Sequence, residues 1–253
     1  MTDLERLVFS FFNVEVMRRY LPSIAEGFVL TVELALAVIV AGLVLGLVLA
    51  VVRSLQIRVV NWLIVLGVDL LRALPPLVII VLFYFALPHV GVRMSGFTAT
   101  WASLSLVLAA FAEEIFWAGI LAVHKGQWEA ARSTGLTFGQ ALAFVVLPQA
   151  VRLTIPPLTN RAIAITKGTA LASVVGVPEI LSQAITGQSF AANPSPLTLG
   201  AAAYLVLFIP FVVAGRFIET RFAWRRCWTR SSRTSSTWRS CGRRGRCCSR
   251  ASS

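Results

Sequence analysis

The chain has 253 residues, of which 57% are hydrophobic and only 13% are charged, and its mean hydropathy is +0.78. Soluble domains carry roughly 25% charged residues, so this composition argues against a water-soluble enzyme and indicates a membrane protein of one or two domains. The net charge of +12 arises mainly in residues 216–253, which hold 11 of the 23 Lys and Arg; residues 1–215 keep 12 basic and 10 acidic residues. The charge of the body therefore gives no indication of nucleic-acid binding.

Apolar segments of about 20 residues predict helices that cross a bilayer. Five such spans are predicted, in an all-α polytopic membrane protein, at residues 29–52, 74–87, 98–123, 163–185 and 197–218. Gly42 and Gly46 in the first span form a small-xxx-small pair, which permits close contact with another helix. Basic residues follow the first, third and fifth spans, so the N-terminus is expected outside and the C-terminus in the cytosol.

The cytosolic connection at residues 125–157 is too polar to span the membrane, and its pattern predicts two short helices. Residues 127–133 contain strong helix formers, and Gly135 is expected to end that helix in a left-handed conformation. Thr137 and Gln140 have the spacing of a capping box, which predicts the start of a second helix ending near Leu147 and Pro148. A compact pair of helices at this place is suited to docking on another protein.

This connection resembles the EAA loop of ABC importer permeases, which follows the pattern E-A-A-x3-G-x9-I-x-L-P. Glu129, Ala130, Ala131, Gly135, Leu147 and Pro148 match it, and Val145 in place of Ile is the one departure. Further stretches are similar to the polar-amino-acid permeases, in order and spacing: residues 27–34, 69–85, 126–127, 156–160, 167–171 and 176–179. The similarity covers about residues 21 to 218.

The resemblance implies a bacterial inner-membrane permease that translocates a polar amino acid or a related small amine or zwitterion. Together with the composition of the two ends, it divides the chain into an N-terminal periplasmic or interfacial segment at 1–22, a transmembrane domain at 23–218, and a basic, disordered cytosolic tail at 219–253. Its implied partners are a cytosolic ATPase dimer, an extracytoplasmic solute-binding protein and a second permease copy, as a homodimer or a heterodimer. The coupling residues would be the six EAA positions.

No enzymatic activity or cofactor of its own is expected for this chain. It contains no G-x4-G-K-[ST] loop, so ATP would be bound by the partner subunit. Its four cysteines all follow residue 226 and have no zinc spacing, and only two histidines exist, so no metal site is expected. The alternatives from other classes are a secondary transporter or channel acting without an ATPase, and a membrane sensor subunit.

Three charged residues are candidates for the substrate pathway: Glu113, Glu114 and Arg72. Glu114 matches the acid that the family carries in the third span, where Trp117 stands at the usual Arg position. Glu114 could meet a substrate ammonium group or pair with a basic group of the bundle, and Glu113 is expected to be structural. Arg72 and Asp69, three positions apart, are expected to form an interfacial ion pair.

The segment after residue 218 contains no Leu, Ile or Val, and all its basic residues are Arg. One interpretation is a basic segment on the anionic inner leaflet. The favoured interpretation is a shifted reading frame, because Cys-Cys and isolated Trp in an Arg/Ser background have no evident structural purpose.

Overall fold

A computed structural model describes residue 3 and residues 9–231, and among these it contains helices and no strands. Four helices are long and apolar enough to cross a membrane, or five if one bent pair counts as a span, in agreement with the predicted number. The α-helices are α1 (Val14–Ser54), α2 (Arg58–Ala73), α3 (Pro76–Val81), α4 (Gly96–Ala122), α5 (Lys125–Ser133), α6 (Phe138–Ala141), α7 (Leu147–Lys167), α8 (Ile180–Ala191) and α9 (Ser195–Ser231).

The first span is longer than predicted. Helix α1 begins at Val14, where the Asn13 side chain accepts hydrogen bonds from the backbone N–H groups of residues 15 and 16. The predicted boundary at residue 22 therefore falls inside a helix. Gly42 and Gly46 make the predicted close contact: a Cβ built at Gly42 would lie 2.7 Å from the Leu108 Cβ, and one at Gly46 would lie 2.6 Å from the Ala112 Cβ. Helices α1 and α4 thus form the tightly packed centre of the molecule.

The second predicted span is bent. Helix α2 ends at Ala73, and the segment from Pro76 to Val90 leaves it at an angle of 102°. Leu74 and Pro75 are both extended at the break, because a proline disfavours the helical conformation of the residue before it. The third span agrees closely with the prediction, since α4 covers Gly96–Ala122.

The sequence pattern predicted that the second helix of the connection at residues 125–157 ends near Leu147 and Pro148, and this prediction is wrong. Helix α6 continues through a π-helical segment, Leu142–Val146, into α7 and then a 3₁₀ segment, Gly168–Val175. The ring of Pro148 clashes with regular helical geometry, and the wider π turn immediately before it accommodates the ring without ending the helix. The fourth span is therefore Phe138–Val175 rather than residues 163–185.

The chain after Val175 turns at Gly176, whose φ is +73°, and then forms the separate helix α8. The fifth span agrees with the prediction: the membrane-compatible part of α9 is Ser195–Ile218. Helix α9 itself continues to Ser231, so the first thirteen residues of the predicted disordered tail, 219–231, are helical. No proline or glycine follows residue 218 within this stretch to end the helix. The rest of that prediction, residues 232–253, lies outside the described residues.

Candidate functional site

The coupling segment, residues 125–148, begins with α5 and turns sharply at Gly135. Gly135 has φ +88°, which confirms the predicted left-handed conformation. The N–H of Leu136 donates to the Ala131 carbonyl at 3.3 Å and the N–H of Gly135 donates to the Arg132 carbonyl at 3.1 Å. This pair of bonds is the Schellman motif, in which glycine is favoured because it has no Cβ to strain at positive φ.

The second helix of the coupling segment begins as predicted. Thr137 and Gln140 form both halves of a capping box, side chain to backbone in each direction. The rings of Trp128 and Phe138 stack with centroids 5.2 Å apart, which fixes α5 against α6 across the turn. The two arms of the segment therefore form one packed unit.

The EAA residues divide into an exposed set and a packed set. Ala131 is buried and Leu147 is partly buried, whereas Glu129, Ala130, Gly135 and Pro148 are exposed. Phe144, also in this segment, is 73% exposed, a large apolar side chain that nothing in the described part of the chain covers. An exposed carboxylate, an exposed alanine and an exposed phenylalanine on a rigid unit are suited to contact with another protein. The sequence pattern did not single out Phe144.

Glu113 lies at the closed centre of the bundle. Its side chain is fully buried, and both of its carboxylate oxygens accept hydrogen bonds from Nη1 of Arg53, at 2.9 and 3.2 Å. The Arg53 guanidinium also lies 4.8 Å from the centroid of the Trp117 ring. Both carboxylate oxygens of Glu113 are paired and the side chain has no exposed surface. This geometry therefore favours a structural role for Glu113 over a place in the substrate pathway.

Glu114 and Arg72 come together on the other side of α4. Nη2 of Arg72 lies 2.8 Å from Oε2 of Glu114, and its Nη1 lies 3.8 Å from Asp69. The contact with Glu114, which joins two helices, is shorter and therefore stronger than the contact with Asp69. Glu114 is thus the main partner of Arg72, and the expected pair with Asp69 is a weaker second contact. The Glu114 side chain is half exposed, so molecules outside the subunit can reach it.

Two arginine guanidinium groups lie over the ring of Phe111, which is one turn before Glu114. Arg161 lies 3.7 Å from the ring centroid and Arg72 lies 5.3 Å from it. The fourth span was predicted at residues 163–185, which leaves Arg161 outside it. Arg161 lies instead within the fourth span, because that span begins at Phe138. We call Phe111, Arg72, Glu114 and Arg161 the arginine cluster. No sequence signal indicated that Phe111 and Arg161 meet, since they are far apart along the chain.

A cavity of about 540 Å³ opens near the first residues of α4. Glu33, Tyr84 and Phe97 line it together with the turn at Gly176. The neighbouring Glu179 caps α8 through the N–H groups of Leu181 and Ser182 and accepts a hydrogen bond from Tyr204 at 2.6 Å. Burial raises the pKa of Glu179 above its ordinary value, although these hydrogen bonds oppose the rise.

Known proteins of similar sequence indicate the family to which the chain belongs. The family described as "Binding-protein-dependent transport system inner membrane component" matches residues 42–224. The "Probable glutamine ABC transporter permease protein GlnM" of Bacillus subtilis (strain 168) is 34% identical over 210 residues, which cover 83% of this chain and 97% of the relative. The "L-cystine transport system permease protein TcyB" of the same organism is 35% identical over 169 residues, covering 67% and 72%.

A solved structure, titled "Crystal structure of an amino acid ABC transporter with histidines", superimposes with a TM-score of 0.74 at 32% identity, covering 81% of this chain and 96% of that chain. These similarities support a transport permease and give no support to the alternative of a secondary transporter or channel. The chain is a multi-pass membrane protein and belongs to the family of binding-protein-dependent transport system inner membrane components.

Proposed function

We propose that this chain is the transmembrane subunit of an ABC importer that carries a polar amino acid across the bacterial inner membrane. The relatives named above are permeases for glutamine and cystine, which are both zwitterionic amino acids. The observation that carries the proposal is the rigid, exposed coupling segment at Gly135, which continues without a break into the fourth span.

Two ATPase subunits would dock on the coupling segments of two permease copies, either identical or sister chains. ATP would be bound and hydrolysed by those subunits, while the solute-binding protein delivers the amino acid from the opposite face. Lys125, Arg132 and Arg152 on or beside the coupling segment support its cytosolic location. The N-terminus would then lie outside and the C-terminus inside.

The coupling segment conveys ATPase closure because its parts cannot move independently. The Trp128–Phe138 stack joins α5 to α6, and Gln149 Nε2 donates to Gln127 Oε1 at 3.4 Å. A displacement of the exposed Glu129 and Ala130 therefore moves the start of the fourth span. The spans change from inward-facing to outward-facing, and hydrolysis reverses the change.

The test uses Gly135→Val and Glu129→Lys in the permease–ATPase complex reconstituted in proteoliposomes. A Cβ at Gly135 would meet no atom within 4 Å, so Gly135→Val acts through backbone strain at positive φ rather than through an internal clash. We expect both proteins to insert normally but to lose the stimulation of ATP hydrolysis by loaded binding protein. Gly67→Val, at a glycine of α2 that also has open space, is the control and should keep full stimulation. Full stimulation and uptake in both coupling variants would refute the proposal.

A further inference from the structure

Within the arginine cluster, the acids of the described side chains contact Arg72 and not Arg161. Arg72 is paired with Glu114 at 2.8 Å and lies 3.8 Å from Asp69, whereas Arg161 has no ion pair with the side chains that the structure describes between residues 9 and 218. Arg161 and Arg72 nevertheless lie over the same Phe111 ring, at 3.7 and 5.3 Å from its centroid. Two guanidinium groups so close together repel each other, and the two acids that offset this repulsion lie beside Arg72, which leaves Arg161 without an acid of its own among the described side chains.

The cluster lies far from both ends of the third span. Phe111 follows Gly96 by 15 residues and precedes Ala122 by 11. At a rise of 1.5 Å per residue, the ring is about 22 Å from one end of α4 and about 16 Å from the other. An arginine at the centre of a membrane helix costs about 2.5–3.5 kcal/mol on insertion scales, and such residues mark pathways for ions and substrates.

The geometry of Arg161 leaves its hydrogen-bonding edge available. A guanidinium stacked on an aromatic ring uses its face, and its N–H donors point outward in the plane, where they match a carboxylate. Glu114 is half exposed and uses only Oε2 in its contact with Arg72. A bound zwitterion would therefore find a cation for its carboxylate and an acid for its ammonium group within one cluster.

We propose that Arg161, held flat by Phe111, binds the α-carboxylate of the transported amino acid inside the membrane. This inference rests on the proposed function and names the group of the substrate that the permease itself recognises. A carboxylate side chain of a second permease copy is the other source of the same chemistry. The two sources differ in one respect: only the first makes the affinity for the substrate depend on Arg161.

The experiment measures equilibrium binding to the purified permease–ATPase complex in lipid nanodiscs, without binding protein. The probes are the twenty labelled L-amino acids, tested singly, followed by competition with the carboxamide of each amino acid that binds. Wild-type complex is expected to bind an amino acid and to reject its carboxamide. Arg161→Gln should weaken binding by about 10-fold or more, as expected for loss of a charge-assisted hydrogen bond, and should abolish the discrimination. Arg161→Lys should restore part of it.

Arg152→Gln is the matched control, because Arg152 lies on the same helix α7, is exposed and stacks on no aromatic ring among the described side chains. It should bind like wild type. Unchanged affinity in Arg161→Gln, binding of the carboxamide by wild type, or binding of none of the twenty probes would overturn the proposal. Loss of the permease dimer in Arg161→Gln would assign the arginine to the second copy instead. If loaded binding protein fails to stimulate ATP hydrolysis in wild type, the proposed function fails, whatever Arg161 binds.

Discussion

Removing one partner of the Arg53–Glu113 pair should destabilise the bundle, and the two single substitutions should differ. Arg53→Gln leaves the Glu113 carboxylate charged and fully buried, whereas Glu113→Gln leaves Arg53, which is 21% exposed, with an amide oxygen as partner and some access to solvent. Breaking a buried pair costs about 3–5 kcal/mol when the remaining charge is buried. Loss of the charge on one partner of a hydrogen bond costs about 1.5–3 kcal/mol. Arg53→Gln should therefore be the more harmful change.

The measurement is the unfolding free energy in mixed micelles titrated with SDS, completed as a double-mutant cycle. The double variant should be more stable than Arg53→Gln alone, because it leaves no buried charge. Arg58→Gln, at the exposed first residue of α2, is the control and should change stability by less than about 0.5 kcal/mol. Equal stability of Arg53→Gln and Arg58→Gln would refute the structural role of the pair.

Two further substitutions test the packing. Gly46→Leu should prevent stable folding, because its Cβ would lie 2.6 Å from the Ala112 Cβ. Gly67→Leu is the control, since a Cβ there meets open space and the protein should fold normally. Thermal stability measured by size-exclusion chromatography compares the two variants, and equal stability would contradict the close contact. Tyr204→Phe removes the 2.6 Å hydrogen bond to buried Glu179 and should cost about 1–3 kcal/mol of unfolding free energy, measured by the same SDS titration. No measurable loss would mean that Glu179 does not depend on this hydroxyl.

The predictions made from the sequence were most accurate for local structure that depends only on neighbouring residues. The left-handed Gly135 and the capping box at Thr137 are set by backbone chemistry within a few positions, and both predictions are confirmed. The prediction that the second helix ends near Pro148 is wrong. A proline usually ends a helix, but here the π-helical segment before it makes room for the proline ring and the helix continues.

The charged contacts could not be predicted, because each joins residues from distant parts of the chain. Arg53 and Glu113 are 60 positions apart, and nothing in their local sequence pairs them. Arg161 precedes the predicted fourth span at residues 163–185, and a span that starts at Phe138 was not predicted. The contact of Arg161 with the Phe111 ring is therefore visible in the structure alone.

The unbroken helix from the coupling segment has a mechanical consequence. Its 38 residues, Phe138–Val175, make it a lever about 57 Å long, with the proposed ATPase contact at one end and the turn at Gly176 at the other. Tilting such a lever by 5° about one end moves the other by about 5 Å, close to one helical turn. The moved end lies against the cavity that contains Glu33 and Tyr84. Under the proposed function, a small rotation driven by the ATPases would thereby be enough to open or shut a passage at the opposite end of the helix, with no separate signal between the two ends.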